Sequence, residues 1–189
     1  MNNYNILVAD SSETSRKKIC SLLLKKGYKI YQATDGAGTI RLARTTFPNL
    51  VIIDENIWGI KAYDVGRVIE EDGLSSVIFI TKSPNQRFFE RLKNMNVYAY
   101  INKPINVDQL YQIVEFTIMN SNKISKLEKK VKKLEDTIED RKKVDKAKRL
   151  LMQEYNVLED EAYKLLRKKS MDECSSIGKI AEGIIRKYS

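Results

Sequence analysis

The ten residues 50–59, LVIIDENIWG, carry a short apolar run that stops on a carboxylate. VIID (51–54) is too short for a typical helix, is rich in β-branched residues and is followed by polar turn residues. It reads as a buried strand with Asp54 at its carboxyl end. Working outward, the same form returns in ILVA (6–9), VIFI (77–80) and YAYI (98–101), and KIYQA (29–33) supplies a fifth run. Amphipathic helical patterns lie between them, such as SRKKICSLLLKKG (15–27) with Gly27 in a C-cap position. This five-fold alternation predicts an α/β domain with a doubly wound, five-stranded parallel sheet.

In such a sheet ligands bind at the carboxyl ends of the strands. Asp10, Asp54, Thr81 and Lys103 fall there. Two carboxylates, a hydroxyl and an ammonium on one edge suit phosphoryl transfer. One carboxylate is the nucleophile, the other helps hold a divalent cation, and Thr81 and Lys103 contact the phosphoryl oxygens. A carboxylate is already ionised at neutral pH, so no base is required. The composition fixes the direction of that transfer. The 189 residues contain no His, which excludes imidazole catalysis, a His-containing triad, a His-ligated zinc site and phosphohistidine donation. Any phosphoryl chemistry is therefore on the receiving side. Cys20 and Cys174 form no CxxC pair and read as two reduced, partly buried thiols. The start, MNNYNILVAD, has no secretory pattern, and no apolar run reaches the ~18 residues of a membrane span. The expectation is a cytoplasmic protein without a membrane partner.

The segment 4–120 resembles a response-regulator receiver domain. ILVADSSETSRKKI is similar to its first strand and helix, LVIIDENIWG to its phosphoacceptor strand, VIFITKS to its switch-threonine strand and AYINKPI to its aromatic and Lys-Pro end. The resemblance implies Asp54 as the phosphorylated residue, Thr81 as the switch hydroxyl, Tyr100 as the rotating aromatic and Lys103 as the phosphate-contacting lysine. It also implies a Mg²⁺ site of Asp10, Asp54 and Asn56, a sensor histidine kinase as partner, and no enzymatic activity beyond supporting the chain's own phosphorylation. Two departures stand out. Receivers carry two adjacent acids after the first strand, and here Asp10 is followed by Ser11. Replacing an anionic ligand by a hydroxyl weakens a hard-cation site, with Glu13 the one nearby carboxylate able to compensate. Ile57-Trp58 stands where Met-Pro is usual and sets a large aromatic beside the acceptor. The alternative is a receiver fold retained as a dimerisation scaffold. Lys103-Pro104 reads otherwise as a turn with a cis peptide.

From 105 to 177 the chain has neither Gly nor Pro, predicting nearly continuous helix. Leu110, Ile113, Ile124, Leu127, Val131, Leu134 and Ile138 form an apolar stripe, with Thr117 and Asn120 filling its gaps. Taking Ile124, Val131 and Ile138 as a positions and Leu127 and Leu134 as d gives the combination favouring a parallel two-stranded coiled coil. Lys123 would then face Glu128 of the partner, and Lys130 would face Glu135. A single helix with its stripe packed on its own domain is the alternative.

The last 50 residues read as three short helices sharing one small core, with stripes on Val144, Ala147, Leu150 and Leu151, on Leu158, Ala162, Leu165 and Leu166, and on Ile177, Ile180, Ala181, Ile184 and Ile185. Ser170-Met-Asp-Glu173 has the form of a capping box starting the third helix. Charge concentrates here: residues 1–120 hold 15 basic and 12 acidic residues, whereas 121–189 hold 19 and 13. Lys142, Lys146 and Arg149 share one helix face, and Lys164, Arg167 and Lys168 share another. The stretch EDRKKVDKAKRLLMQEYNVLEDEAYKLLRKKSMDECSSIGKIAEGII resembles the ANTAR domain, a three-helix RNA-binding module of antitermination regulators. The matching pieces are Ala147-Lys148, Leu151-Met152, Glu161-Ala162-Tyr163, Leu166-Arg167, Ser170-Met171 and Ala181. Arg149, Asn156 and Cys174 depart from that pattern, with Asn156 still able to take a left-handed C-cap.

The resemblance implies binding to paired stem-loops in leader RNA, one ANTAR domain of a homodimer on each loop. Tyr163 beside Arg167, with Lys148 and Ser170 near, is the expected aromatic and basic surface. The organisation expected is a receiver over 1–118, a coiled-coil helix over 119–140 and the RNA-binding unit over 141–189. A DNA-binding response regulator, an unphosphorylated pseudo-receiver whose dimer binds RNA constitutively and a protein-binding adaptor are the alternatives. No clear groove-reading series of Asn, Gln or Arg favours the DNA reading.

Overall fold

Short β-branched runs interleaved with capped amphipathic helices build the first half of the chain. In the computed structural model, which describes residues 4–188 apart from 94, 96 and 98, the elements are β1 (Asn5–Ala9), α1 (Glu13–Lys25), β2 (Lys29–Ala33), α2 (Gly36–Thr46), β3 (Leu50–Asp54), α3 (Ala62–Glu71), β4 (Ser76–Thr81), α4 (Gln86–Leu92), β5 (Tyr100–Asn102), α5 (Val107–Tyr155), α6 (Glu159–Asp172) and α7 (Ile177–Tyr188). Residues 1–3 of the opening segment and Tyr98 of the YAYI run lie outside the described residues. The strands form one parallel sheet in the order β2-β1-β3-β4-β5. Local chemistry sets the helix starts: Ser12, Asp35 and Asn85 accept from the backbone N–H three residues on, satisfying donors the helix leaves free. Gly27, at φ +83°, ends α1 in a conformation that a side chain would resist.

Alternation along the strands divides the core between the two faces of the sheet. Ile6, Val8, Ile52, Ile78 and Ile80 pack on one face with Ile19 and Leu23 of α1 and Leu110, Val114 and Ile118 of α5. Leu7, Val51, Ile53 and Phe79 pack on the other with Ala43 of α2, Val65 and Ile69 of α3 and Phe88 of α4. Asp54 and Thr81 thus end interior strands whose other core-facing residues are apolar. The stripe expected along α5 changes here: Val114 and Ile118 do the inward packing, and Thr117 is buried among them.

The chain forms two compact units, one up to Lys123 and one from Ile124 on. In the second unit Ala147 and Leu151 of α5, Ala162 and Leu166 of α6, and Ile180, Ala181 and Ile184 of α7 make a separate core. Three expectations for this region are corrected. The first tail helix is not separate but is the end of α5, because nothing between 119 and 155 interrupts a run of good helix formers. Ser170 does not start the third helix, since it lies inside α6 with its hydroxyl donating to the Ser175 carbonyl at 2.5 Å. The chain turns at Cys174, φ +45°, and Ser176 stands before α7, accepting from Lys179 N at 3.4 Å. Cys174 is exposed rather than partly buried, whereas Cys20 is in the core. Asn156 follows α5 at φ +49°, the left-handed cap its side chain tolerates. Leu127, Val131, Leu134 and Ile138 are each more than half exposed, so the heptad stripe does not pack on its own unit.

Candidate functional site

Asp10, Asp54 and Thr81 are almost completely buried at the carboxyl ends of β1, β3 and β4. Burying charged groups is costly unless they are paired. Lys103 meets that need: its Nζ contacts Asp54 Oδ2 directly and lies 3.4 Å from Asp10 Oδ2. Its backbone N–H donates to the Thr81 carbonyl at 2.8 Å, which anchors the lysine just beyond β5, and the Lys103-Pro104 peptide is cis. Burial disfavours the Lys103 ammonium, but the hydrogen bond and charge of Asp54, joined by Asp10, outweigh it and hold its pKa above the ordinary lysine value. The other carboxylate oxygens are taken by backbone: Asp10 Oδ1 accepts from Ser12 N at 2.8 Å and Asp54 Oδ1 from Asn56 N at 3.0 Å. Asn102, in register with Thr81, buries a side-chain oxygen with no hydrogen-bond partner among the described residues.

The Ser11 hydroxyl is engaged outside this cluster. It donates to the Thr34 carbonyl at 2.9 Å and accepts from Trp58 N at 2.8 Å, tying the loops after β1, β2 and β3 together. Glu13 does not supply the missing acid, because its carboxylate pairs with Lys17 one turn along the exposed face of α1, at 2.6 Å. Trp58 is 70% exposed beside the acceptor loop. Tyr100 packs edge-on against Phe88 and Phe89 of α4, with ring centroids 5.3 and 5.6 Å away.

Sequence reasoning missed Glu55. Thr81 Oγ1 donates to Glu55 Oε2 at 2.5 Å and Tyr63 OH donates to Glu55 Oε1 at 2.7 Å. An acid directly after Asp54 reads as a solvated turn residue. Only the packing of β4 and α3 brings two hydroxyls to it.

In the second unit Lys142, Lys146 and Arg149 of α5 and Lys164, Arg167 and Lys168 of α6 are exposed, and Tyr163 is 44% exposed. Tyr163, Arg167 and Ser170 follow one another at helical spacing along one flank of α6. Lys148, expected near that surface, is instead held by acidic partners of its own unit. It bridges Asp145 at 2.8 Å and Glu159 at 2.7 Å with little exposure, and these partners hold its pKa up. Ser170 is committed to Ser175, as described above.

A doubly wound parallel sheet whose carboxyl edge gathers paired aspartates, a lysine and a threonine has the build of a receiver domain, here followed by a small basic helical unit. The chain belongs to the response regulator receiver domain family, whose model matches residues 6–115, and it carries an ANTAR domain over residues 132–185. It is 26% identical over 181 residues to the transcriptional regulatory protein PdtaR of Mycobacterium tuberculosis, a match covering 95% of this chain and 88% of PdtaR. Protein PilH of Pseudomonas aeruginosa is 26% identical over 112 residues, covering 58% of this chain and 93% of PilH. Among solved structures, a CheY-like response regulator receiver domain protein from Methanospirillum hungatei superposes with a TM-score of 0.60 at 18% identity, covering 65% of this chain and 98% of that one. Receiver domains typically bind Mg²⁺. No helix among the described residues is long and apolar enough to cross a membrane.

Proposed function

We propose that this response regulator is a cytoplasmic, RNA-binding transcription antiterminator that a histidine kinase phosphorylates on Asp54. The observation that carries the phosphoacceptor half is the buried Asp54–Lys103–Asp10 cluster with Thr81 at the end of the neighbouring strand. The ANTAR match carries the RNA half. An Asp54 oxygen bonds to the donor's phosphorus as the donor's bond to phosphorus breaks. Lys103, already on Asp54, balances the charge gained, and Thr81 offers a hydroxyl to the new phosphoryl oxygens. The chain itself needs no other enzymatic activity.

Asp10, Asp54 and Asn56 are the residues that would hold Mg²⁺, which when bound neutralises phosphoryl oxygens. The donor set fits this hard cation only in part. Two carboxylates are present and already share Lys103, and Ser11 spends its hydroxyl on the loops. Affinity for Mg²⁺ is therefore weaker than in a receiver with a second acid after β1. The same observation supports a second reading, a pseudo-receiver that stays unphosphorylated and binds RNA as a constitutive dimer.

The stripe of Ile124, Leu127, Val131, Leu134 and Ile138, within the 119–140 segment, joins two chains in a parallel coiled coil between the receiver over 1–118 and the RNA-binding unit over 141–189. Two tail domains then engage two leader stem-loops at once, so modest single-site affinity is multiplied by effective concentration. Lys142, Lys146, Arg149, Lys164, Arg167 and Lys168 supply charge to the phosphates, and Tyr163 supplies an aromatic face for an unstacked base. Lys148 and Ser170 complete that surface once their present partners yield. The test is to treat wild type and Asp54→Ala with a phosphoryl donor and Mg²⁺ and titrate a paired-hairpin leader RNA at fixed salt. Tightening confined to wild type supports the switch. Equal tight binding supports the constitutive reading, and preference for duplex DNA over hairpin RNA refutes the antiterminator.

A further inference from the structure

Nothing in the phosphoacceptor reading uses Glu55, yet it is held on every side. Its N–H donates to the Ile80 carbonyl at 2.9 Å, fixing the residue between the ends of β3 and β4. Its two carboxylate oxygens take the Thr81 and Tyr63 hydroxyls at 2.5 and 2.7 Å. Thr81 Oγ1 also accepts from Ser83 N at 3.2 Å. A hydroxyl has one proton to give, and that of Thr81 is committed to Glu55. The acceptor is anionic, which makes this among the stronger kinds of protein hydrogen bond. Tyr63 stays a donor: burial first, then the Glu55 carboxylate, push its phenol pKa up. The Tyr63 ring stacks on Phe79 at 5.2 Å, stands edge-on to Phe88 at 6.3 Å, and carries the Arg91 guanidinium 4.7 Å from its centroid. Phe88 in turn meets Tyr100.

Building on the reading of Asp54 as the phosphoacceptor, we infer that Glu55 is the positioning residue for Thr81: it holds the hydroxyl, and a phosphoryl group on Asp54 captures Thr81 only by displacing this carboxylate. Displacement also frees the Tyr63 hydroxyl, and through Phe88 it loosens the packing around Tyr100. Glu55 thereby sets how much of the modified chain switches, and it leaves the bond-making step to Asp54 and Lys103.

The test uses the full chain and its single tryptophan, Trp58, as reporter. Beryllium trifluoride with Mg²⁺, a phosphoryl mimic, is titrated into wild type, Glu55→Ala, Glu55→Gln, Thr81→Ala and the double variant Glu55→Ala/Thr81→Ala. Glu55→Ala tightens the mimic about tenfold, the scale of one charge-assisted hydrogen bond. Glu55→Gln, which keeps one acceptor oxygen, falls between. In the Thr81→Ala background the Glu55 substitution has no effect, whereas a merely structural role would move both backgrounds alike. An equal effect in both, or none in either, overturns the inference. Thermal unfolding of wild type, Glu55→Ala, Thr81→Ala and the double variant without the mimic checks the bond itself, and absence of Glu55–Thr81 coupling also overturns it. If wild type and every variant fail to respond to the mimic, or respond no differently once Asp54→Ala is added, while that coupling persists, the phosphoacceptor reading has failed and takes the switching role of Glu55 with it.

Discussion

Ser11→Asp returns the acid missing from the receiver edge, and the structure gives both its cost and its gain. The cost is the hydroxyl that joins Thr34 and Trp58: a carboxylate cannot donate to the Thr34 carbonyl, and turning toward Asp10 it abandons Trp58 N as well. Two hydrogen bonds at about 1 kcal/mol each make about 2 kcal/mol without metal. For a receiver of this size that is a fall in Tm of roughly 8 °C. The gain is a third carboxylate beside a divalent cation. A carboxylate about 4 Å from a doubly charged cation contributes roughly 8 kcal/mol gross at an effective dielectric of about 20. Desolvation removes much of this, and a remainder of about 1.4 kcal/mol tightens Mg²⁺ about tenfold. Trp58 fluorescence reads the Mg²⁺ titration, and differential scanning calorimetry with and without Mg²⁺ reads stability. Because a ligand bound only to the folded state stabilises it, Mg²⁺ raises Tm more in the variant than in wild type. Unchanged Mg²⁺ affinity would refute the account of Ser11 as a lost ligand. An unchanged metal-free Tm would refute its account as a loop tie.

Three further outcomes are expected. The raised Lys103 pKa means its ion pairs contribute fully below the ordinary lysine value of ~10.4, and that contribution is lost as pH climbs through the higher folded value. The stability gap between wild type and Lys103→Gln is therefore constant from neutrality upward until it closes in that alkaline window, as pH-dependent thermal denaturation checks. Leu166→Ala, at a position with no exposure, costs about 2–5 kcal/mol in the second unit and leaves the receiver transition in place, which circular dichroism melting resolves. Val131→Glu with Leu134→Glu sets like charges on facing seam positions and weakens self-association at least tenfold, read by sedimentation equilibrium; an unchanged dimer would refute the seam.

Buried parallel strands announce themselves, because both faces of residues 51–53 and 77–80 are covered and every position in them is apolar. The polar residues ending those runs were legible for the same reason: a charge that closes an apolar run sits at a strand end. What the sequence hid depends on long-range packing. Ser11 could be read as an absent acid, but its bonds to Thr34 and Trp58 arise only when three loops converge. Glu55 follows no period at all. Ser170 satisfied a local capping pattern that the structure leaves unused, since α6 runs two residues past it and the turn falls at Cys174. Local signals were reliable where they coincided with burial and weak where several local choices were nearly equal in energy.

The half-exposed heptad positions of α5 have one more consequence. If two such stripes meet, they meet by mass action, and the paired fraction rises with the number of chains present as well as with their modification. Synthesis and degradation of the protein then act as inputs alongside the kinase. A cell that makes more of it would lower the stimulus needed for the same response, and a small change in expression would shift the threshold before any residue of the acceptor site is altered.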